Sequence, residues 1–254
     1  MPKLSVIILT KNEEKNIVDC IRSVYFADEI IIVDSGSTDN TKELAEKLNA
    51  RFLYHPMTEE GFAGQRNFAL TQTDAEWVFY LDADERVTSE AAAKIQEAVA
   101  RNEQKAYRIC RENIVFGQRM HYGAHRPDYA VRLAPRKRIV WFGNVHEEVR
   151  TSLPVGKLTG CLEHYTYITW QKYFVKFNQY TTLAAEAMYA DRKTVAKTAI
   201  LGHTAGAFFR HYVLNKGFLD GFMGLVMSLT ATMYTMIKYL KLRNLYRMAR
   251  DNEE

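Results

Sequence analysis

The chain has 254 residues, 47% of them hydrophobic and 25% charged, with a net charge of +4. That is enough to bury one sizeable core with an appendage, it excludes a disordered chain, and the small charge gives no argument for nucleic acid. Cys20, Cys110 and Cys161 are odd in number, widely spaced and without a C-x-x-C pair, which excludes a disulfide frame or a zinc site and fits a reducing compartment. The apolar part of Met1 to Thr10 is too short before Lys11 for a signal peptide, so a cytosolic protein is expected.

In chain order, the first part alternates strand and helix. Leu4 to Leu9 is an apolar run of strand length, and Glu13 to Tyr25 has helical spacing with Asn12 placed to cap it. Glu29 to Val33 is a second strand, Asn40-Thr41-Lys42-Glu43 opens a helix to about Leu48 with a capping-box pattern, and Arg51 to Tyr54 is a third strand. A helix over Ala63 to Leu70, a strand over Trp77 to Leu81 and an alanine-rich helix over Thr88 to Ala100 follow. Continuous Val/Ile-rich strands separated by helices predict an α/β fold with a mostly parallel, Rossmann-like sheet covered on both faces. From Lys105 the pattern changes to short strands at Lys105 to Cys110, Tyr129 to Leu133 and Arg138 to Phe142, with an irregular stretch at Phe116 to Asp128. From Trp170 the chain reads as helical, with Trp170, Phe174, Phe177, Thr181 and Met188 on one apolar face. The expected organisation is a catalytic domain at 1–168 and a helical C-terminal extension at 169–254 that associates with a membrane, oligomerises or does both.

Ligands of such sheets sit at the carboxyl ends of the strands, and the polar clusters lie there. The run Val78-Phe79-Tyr80-Leu81 stops at Asp82, Ala83, Asp84 and Glu85, three carboxylates that are costly to desolvate without a positive partner. Asp82 and Asp84 could bind Mg²⁺ or Mn²⁺, whose shell phosphate oxygens would complete, or they could belong to a solvated loop with a helix-capping Asp. Asp34 begins "DSGSTDNT" and could accept the N3–H of a uracil or a ribose hydroxyl, or it could close an Asx-turn. Lys11 to Glu13 is equally open, and Arg66 could reach a diphosphate. Glu147 and Glu148 compete for a general-base role; in an extended segment only one of them can reach a given site. His146 and His164 could contact a metal or a phosphate, or act as structural hydrogen-bond donors. Arg132 could support the site or be a surface charge.

Taken together, "SVIILTKNEEKNI", "IIIVDSGSTDNT", "GFAGQRNFAL" and "FYLDADE", in this order, resemble the family 2 glycosyltransferases of the GT-A fold over about residues 3–90, with a weaker match through "GNVHEEV" to "EHYTY". The nearer likeness is to bacterial enzymes that add glucose to the lipopolysaccharide inner core, the β-1,4-glucosyltransferases. The resemblance implies that Thr10 and Glu13 lie against the nucleoside, Asp34 holds the uracil, Arg66 lies near the diphosphate, and Asp82 lies near the ribose and metal. Asp84 would be the metal ligand and Glu147 the general base. Ser35 departs from the family, where a second Asp is frequent, and Q-x-x-R-W, the mark of processive synthases, is absent. The implied activity is an inverting, metal-dependent transfer of a single hexose, with UDP-glucose as donor, to a lipopolysaccharide-core glycolipid. A polyprenyl-phosphate, protein or capsular acceptor, or a non-catalytic nucleotide-binding scaffold, is the alternative.

Gly221 to Ile237 carries no charge, and the basic residues Lys238, Lys241, Arg243, Arg247 and Arg250 follow. A helix of that length only approaches the about 30 Å of bilayer hydrocarbon, so three readings stand: a spanning helix, a core or oligomer helix, and an interfacial helix whose basic run meets anionic lipid. The third is favoured, with Phe208, Phe209, Arg210, His211, Tyr212 and Lys216 adding aromatic and basic groups. It places the protein peripherally on the inner face of the cytoplasmic membrane, with a homo-oligomer open and nucleic acid not expected as a partner.

Overall fold

The computed structural model describes residues 1–143 and 148–251. The elements, in order, are β1 (Leu4–Thr10), α1 (Ile17–Arg22), β2 (Glu29–Asp34), α2 (Thr41–Lys47), β3 (Arg51–Tyr54), α3 (Gly61–Thr71), β4 (Trp77–Asp82), β5 (Glu85–Val87) and α4 (Ser89–Arg101). Then come β6 (Ala106–Val115), β7 (Gln118–Arg119), β8 (Asp128–Pro135), β9 (Val140–Phe142), β10 (Glu148–Arg150) and β11 (Val155–Tyr167). Three helices close the chain: α5 (Trp170–Ala190), α6 (Lys197–Phe208) and α7 (Gly221–Asp251).

Two compact units emerge, one from Met1–Glu112 with Asp128–His164 and one from Asn113–Pro127 with the chain from Tyr165 onward. The main sheet runs in the order β3-β2-β1-β4-β8-β6-β11-β5. Its first four strands are parallel, β8 pairs antiparallel with both β4 and β6, and β5 pairs antiparallel with β11. Every residue of β1 is buried, because helices cover both faces. Alternation divides the strand. Val6 and Ile8 join Ile17, Ile21 and Ile95 on one face, while Ile7 and Leu9 join Ala63, Ala69 and Trp141 on the other. Each such aliphatic side chain contributes about 2 kcal/mol on burial, which is why these strands could be read from their composition.

Several boundaries differ from the expected ones for physical reasons. Asn12 does not cap a helix. It takes a left-handed backbone, φ 56°, and α1 begins only after Asn16. Asn40 makes no side-chain cap on α2; Asp39 accepts the amide of Thr41 in its place. Thr88 does cap α4, accepting from the amide of Ala91 at 3.3 Å. The long strand β11 carries no clean alternation and was not anticipated. It passes α4 at Gly160, φ +81°, where an added Cβ would lie 2.7 Å from the amide nitrogen of Ala91.

In the second unit, α7 packs on α5 and α6. The buried side chains of α5 are Tyr173, Thr181 and Ala185, whereas Trp170 and Phe174 are exposed, so the buried stripe is rotated from the expected one. The ammonium of Lys241, with three N–H donors, lies 2.7–2.9 Å from four acceptors, the carbonyl and side-chain oxygens of Asn178 and the hydroxyls of Thr181 and Thr182, holding α7 to α5. None of the described helices is long and apolar enough to cross a membrane.

Candidate active site

Strand register sets the site. Asp34 lies opposite Thr10 across β1 and β2, and Asp82 lies opposite Leu9 across β1 and β4. Thr10, Asp34 and Asp82 therefore occupy one rim, at the carboxyl ends of three adjacent parallel strands.

Asp34 is nearly fully buried, and its two oxygens accept four hydrogen bonds: from Thr10 Oγ1 (3.0 Å), Ser37 Oγ (2.5 Å) and the amides of Gly36 and Ser37 (2.8 and 2.7 Å). Gly36, φ +105°, makes the tight turn possible. The carboxylate is thus the knot of its own loop. That loop is laced to the one after β1. Asn12 N–H donates to Ser37 Oγ and Asn12 Oδ1 accepts from Thr38 N–H, both at 2.8 Å; Glu13 N–H donates to Thr41 Oγ1 at 2.8 Å. The left-handed Asn12 allows this lacing. Glu13 itself accepts from Asn16 Nδ2 at 2.6 Å.

The positive partners of the acidic cluster after β4 are arginines. Arg66, on α3, donates to Asp82 Oδ1 at 3.0 Å, and Arg132, on β8, donates to Asp82 Oδ2 at 2.7 Å and to Glu85 Oε1 at 2.8 Å. Both arginines are buried. The Arg66 guanidinium also lies 4.5 Å from the centre of the Trp141 ring. Glu85, fully buried, accepts the Asp82 amide at 3.0 Å and faces Arg111 at 3.4 Å, and Arg111 makes a two-pronged pair with Asp128 at 2.6 and 2.8 Å. Burial raises the Asp82 carboxyl, but the charges of Arg132 and Arg66 outweigh it and hold Asp82 far below the usual carboxylate range. Glu85 moves the other way, because burial there exceeds the help of Arg132 and Asp82 opposes its ionisation.

Asp84 is brought to a different neighbour. His164 faces Glu85 in the β5–β11 register, and its Nε2 lies 3.5 Å from Asp84 Oδ2. Burial lowers the imidazole pKa, but the hydrogen bond and charge of Asp84, with the charge of Glu85, lift it above its ordinary value. Among the described residues no group of three or more His, Cys, Asp and Glu could hold a metal. A carboxylate and an imidazole together are nevertheless a suitable protein share for Mn²⁺, and the carboxylate alone for Mg²⁺, if phosphate and water oxygens complete the shell.

Glu147, the expected base, and His146 lie outside the described residues. Glu148 is exposed and starts β10, opposite Phe142. The sequence marks Glu85 only by its charge, gives no sign of Arg111 and leaves Arg132 and His164 open, because their roles depend on pairings between segments up to 80 positions apart in sequence, His164 with Asp84 being the longest. The one local signal was charge itself: "DADE" needed compensation.

The profile of glycosyl transferase family 2 matches residues 5–155. The chain belongs to this family of glycosyltransferases. Among curated relatives, the lipopolysaccharide core biosynthesis glycosyltransferase LpsC of Rhizobium meliloti is 31% identical over 95% of this chain and 93% of its own length. An uncharacterized glycosyltransferase of Rickettsia felis is 27% identical over 96% of this chain and 90% of its own. Among solved structures, S. aureus TarS overlaps 85% of this chain and 45% of its own at a TM-score of 0.47 and 18% identity. The enzyme is therefore a family 2 transferase with an α/β, GT-A fold and a helical C-terminal extension, similar over nearly its whole length to a lipopolysaccharide-core glycosyltransferase.

Proposed function

We propose that the enzyme moves a single hexose, glucose from UDP-glucose, to a lipopolysaccharide-core glycolipid with inversion at the anomeric carbon, with a divalent cation at Asp84. The observation that carries this is the approach of His164 Nε2 to Asp84 Oδ2, 3.5 Å, just beyond the rim that holds Thr10, Asp34 and Asp82. Two protein ligands cannot complete a Mg²⁺ or Mn²⁺ shell, so such a cation would arrive with its nucleotide diphosphate. When bound, it would supply charge neutralisation for the departing diphosphate.

The chain's own residues do the rest. The laced loops of Thr10, Glu13 and Asp34 form a rigid seat for the nucleoside. Arg66 and Arg132 hold Asp82 ionised and fixed beside the ribose, with Arg66 on the diphosphate side of it. Glu147, on the strength of the V-H-E element alone, takes the proton of the attacking acceptor hydroxyl. Glu147→Gln is expected to leave UDP binding intact and slow turnover by about 10²–10⁴-fold; the same loss in Glu148→Gln, with Glu147→Gln active, would move the assignment by one position. The likeness to LpsC supports the lipopolysaccharide-core acceptor.

The acceptor's lipid suits a membrane-facing surface. Between α6 and the start of α7, Phe209, Leu214, Phe218, Leu219 and Phe222 are all exposed, with Lys216 among them. In this reading the bilayer contact is this apolar, basic bend on the cytoplasmic face rather than the helix that follows it. Co-sedimentation with phosphatidylglycerol vesicles should fall in the double variant Phe218→Ser/Phe222→Ser.

The experiment is UDP release from UDP-glucose with a truncated-core lipopolysaccharide acceptor, with Mn²⁺ and with chelator. Turnover that requires both acceptor and metal is expected. Equal turnover in chelator, or a product with the donor's anomeric configuration retained, would overturn the metal or the inverting assignment respectively.

A further inference from the structure

The second unit contains a cavity of ≈ 340 Å³ lined by four tyrosines, Tyr167, Tyr173, Tyr180 and Tyr234, and by Arg210, His211 and Lys238. Its volume is at the small end of the range of about 300–1,000 Å³ that ligand pockets occupy, room for a sugar-sized ligand. The walls are firmly set. Tyr234 donates to the carbonyl of Tyr180 at 3.2 Å, Phe177 meets the Tyr234 ring edge-on at 5.9 Å, and His125 meets Tyr167 at 5.7 Å.

The charges in it are one-sided. Among the described residues, no Asp or Glu lines it. Partial burial, followed by the charge of Arg210, holds the Lys238 ammonium below its ordinary value. Burial together with Arg210 and Arg126 does the same to His211, whose Nδ1 is buried with no hydrogen-bond partner among the described residues. Cations gathered beside one another in a half-buried hollow repel, and what relieves them is an anion. Tyrosine faces accept the C–H edges of a pyranose ring, and their hydroxyls suit its polar rim.

We propose that this cavity binds an anionic saccharide unit, a sugar carrying a phosphate or a carboxylate, with the anion against Arg210, Lys238 and His211 and the ring against Tyr180 and Tyr234. Anion binding follows from the cavity alone; that the saccharide is part of the acceptor rests on the glycolipid reading above. Arg210 and Lys238 would form charge-assisted hydrogen bonds to the anion.

The test is equilibrium binding to the full chain, without UDP, of glucose 6-phosphate, galacturonic acid, glucose and inorganic phosphate. Saturable binding of the two anionic sugars is expected, each at least about tenfold tighter than glucose or phosphate. It should be lost at least about tenfold in Arg210→Gln and in Lys238→Gln, and kept in Lys172→Gln, which removes an exposed positive charge outside the cavity. The unfolding midpoint of each variant reports whether it is folded. No binding of any probe, or equal loss in Lys172→Gln, overturns the site. Phosphate binding as tightly as glucose 6-phosphate overturns its saccharide part; if none of the four probes binds while binding to phosphatidylglycerol vesicles is lost in Lys238→Gln, the cations belong to lipid headgroups, which overturns it too. Failure of the UDP-glucose assignment would show as no UDP binding with Mn²⁺, a separate titration that leaves these outcomes untouched.

Discussion

Two sets of cations, one in each unit, are treated in opposite ways. In the first unit Arg66, Arg132 and Arg111 each face a carboxylate, so the charge is neutralised within the protein before any ligand arrives. In the second, Arg210, His211 and Lys238 line a cavity with no carboxylate among its described lining residues. The first arrangement fixes geometry: Asp82 cannot swing away, and Asp84, two residues on, is presented from a rigid turn. The second leaves its repulsion for a partner to relieve. A neutralised cluster is read as framework, and an uncompensated one as a place that receives charge.

The largest expected effect tests the exception in the first unit. Asp84 faces an imidazole, and Asp84→Ala should lower kcat/KM by about 10³-fold, the several kcal/mol a lost cation is worth at a departing diphosphate. Urea unfolding should show that the variant is otherwise little changed; near-normal turnover would place the metal elsewhere. The next effect is on stability. Arg132→Met strips a buried cation from Asp82 and Glu85 together and should cost about 3 kcal/mol by urea unfolding. Its pH dependence has a definite sign. The Asp82 carboxyl is depressed by Arg132 and Arg66, so the stability it confers is fully present above the unfolded value near about 4 and is lost only as pH falls through the lower folded value. In Arg132→Met the folded value lies closer to the unfolded one, so that acid loss should be smaller and complete at higher pH, and the stability gap between the two proteins should narrow as pH falls. If the two proteins keep a constant stability difference from pH 7 down to pH 2, the pairing of Arg132 with Asp82 is not what stabilises the turn. The smallest effect has the opposite sign. Lys238→Gln should change stability by no more than about 0.5 kcal/mol, on the stabilising side, since it removes a repelled charge. A cost like that of Arg132→Met would mean that Lys238 has an internal partner beyond the Tyr239 ring, whose centre lies 5.0 Å from its ammonium, and the contrast between the units would fail.

The parallel strands could be read from sequence because each is buried on both faces, so β1, β2 and β4 are apolar almost throughout. The carboxyl-end clusters were legible for the same reason: polarity begins where burial stops. The internal answer to the "DADE" charge was not legible. It comes from Arg132 on β8 and Arg111 on β6, antiparallel strands whose register is set by distant pairing. His164 reaches Asp84 only because β5, three residues long, pairs with β11. The loop chemistry was half legible. Asp34 was weighed as a ligand group or an Asx-turn; its hydrogen bonds to the amides of Gly36 and Ser37 make the turn, and its role toward a nucleoside remains part of the proposal.

The most direct test of the central claim is a crystal structure with UDP and Mn²⁺, read in anomalous difference density. A manganese peak shared by Asp84 and His164 and touching the diphosphate is predicted. A peak on Asp82 with Arg66 and Arg132 displaced, or UDP bound on this rim with no manganese, would contradict it.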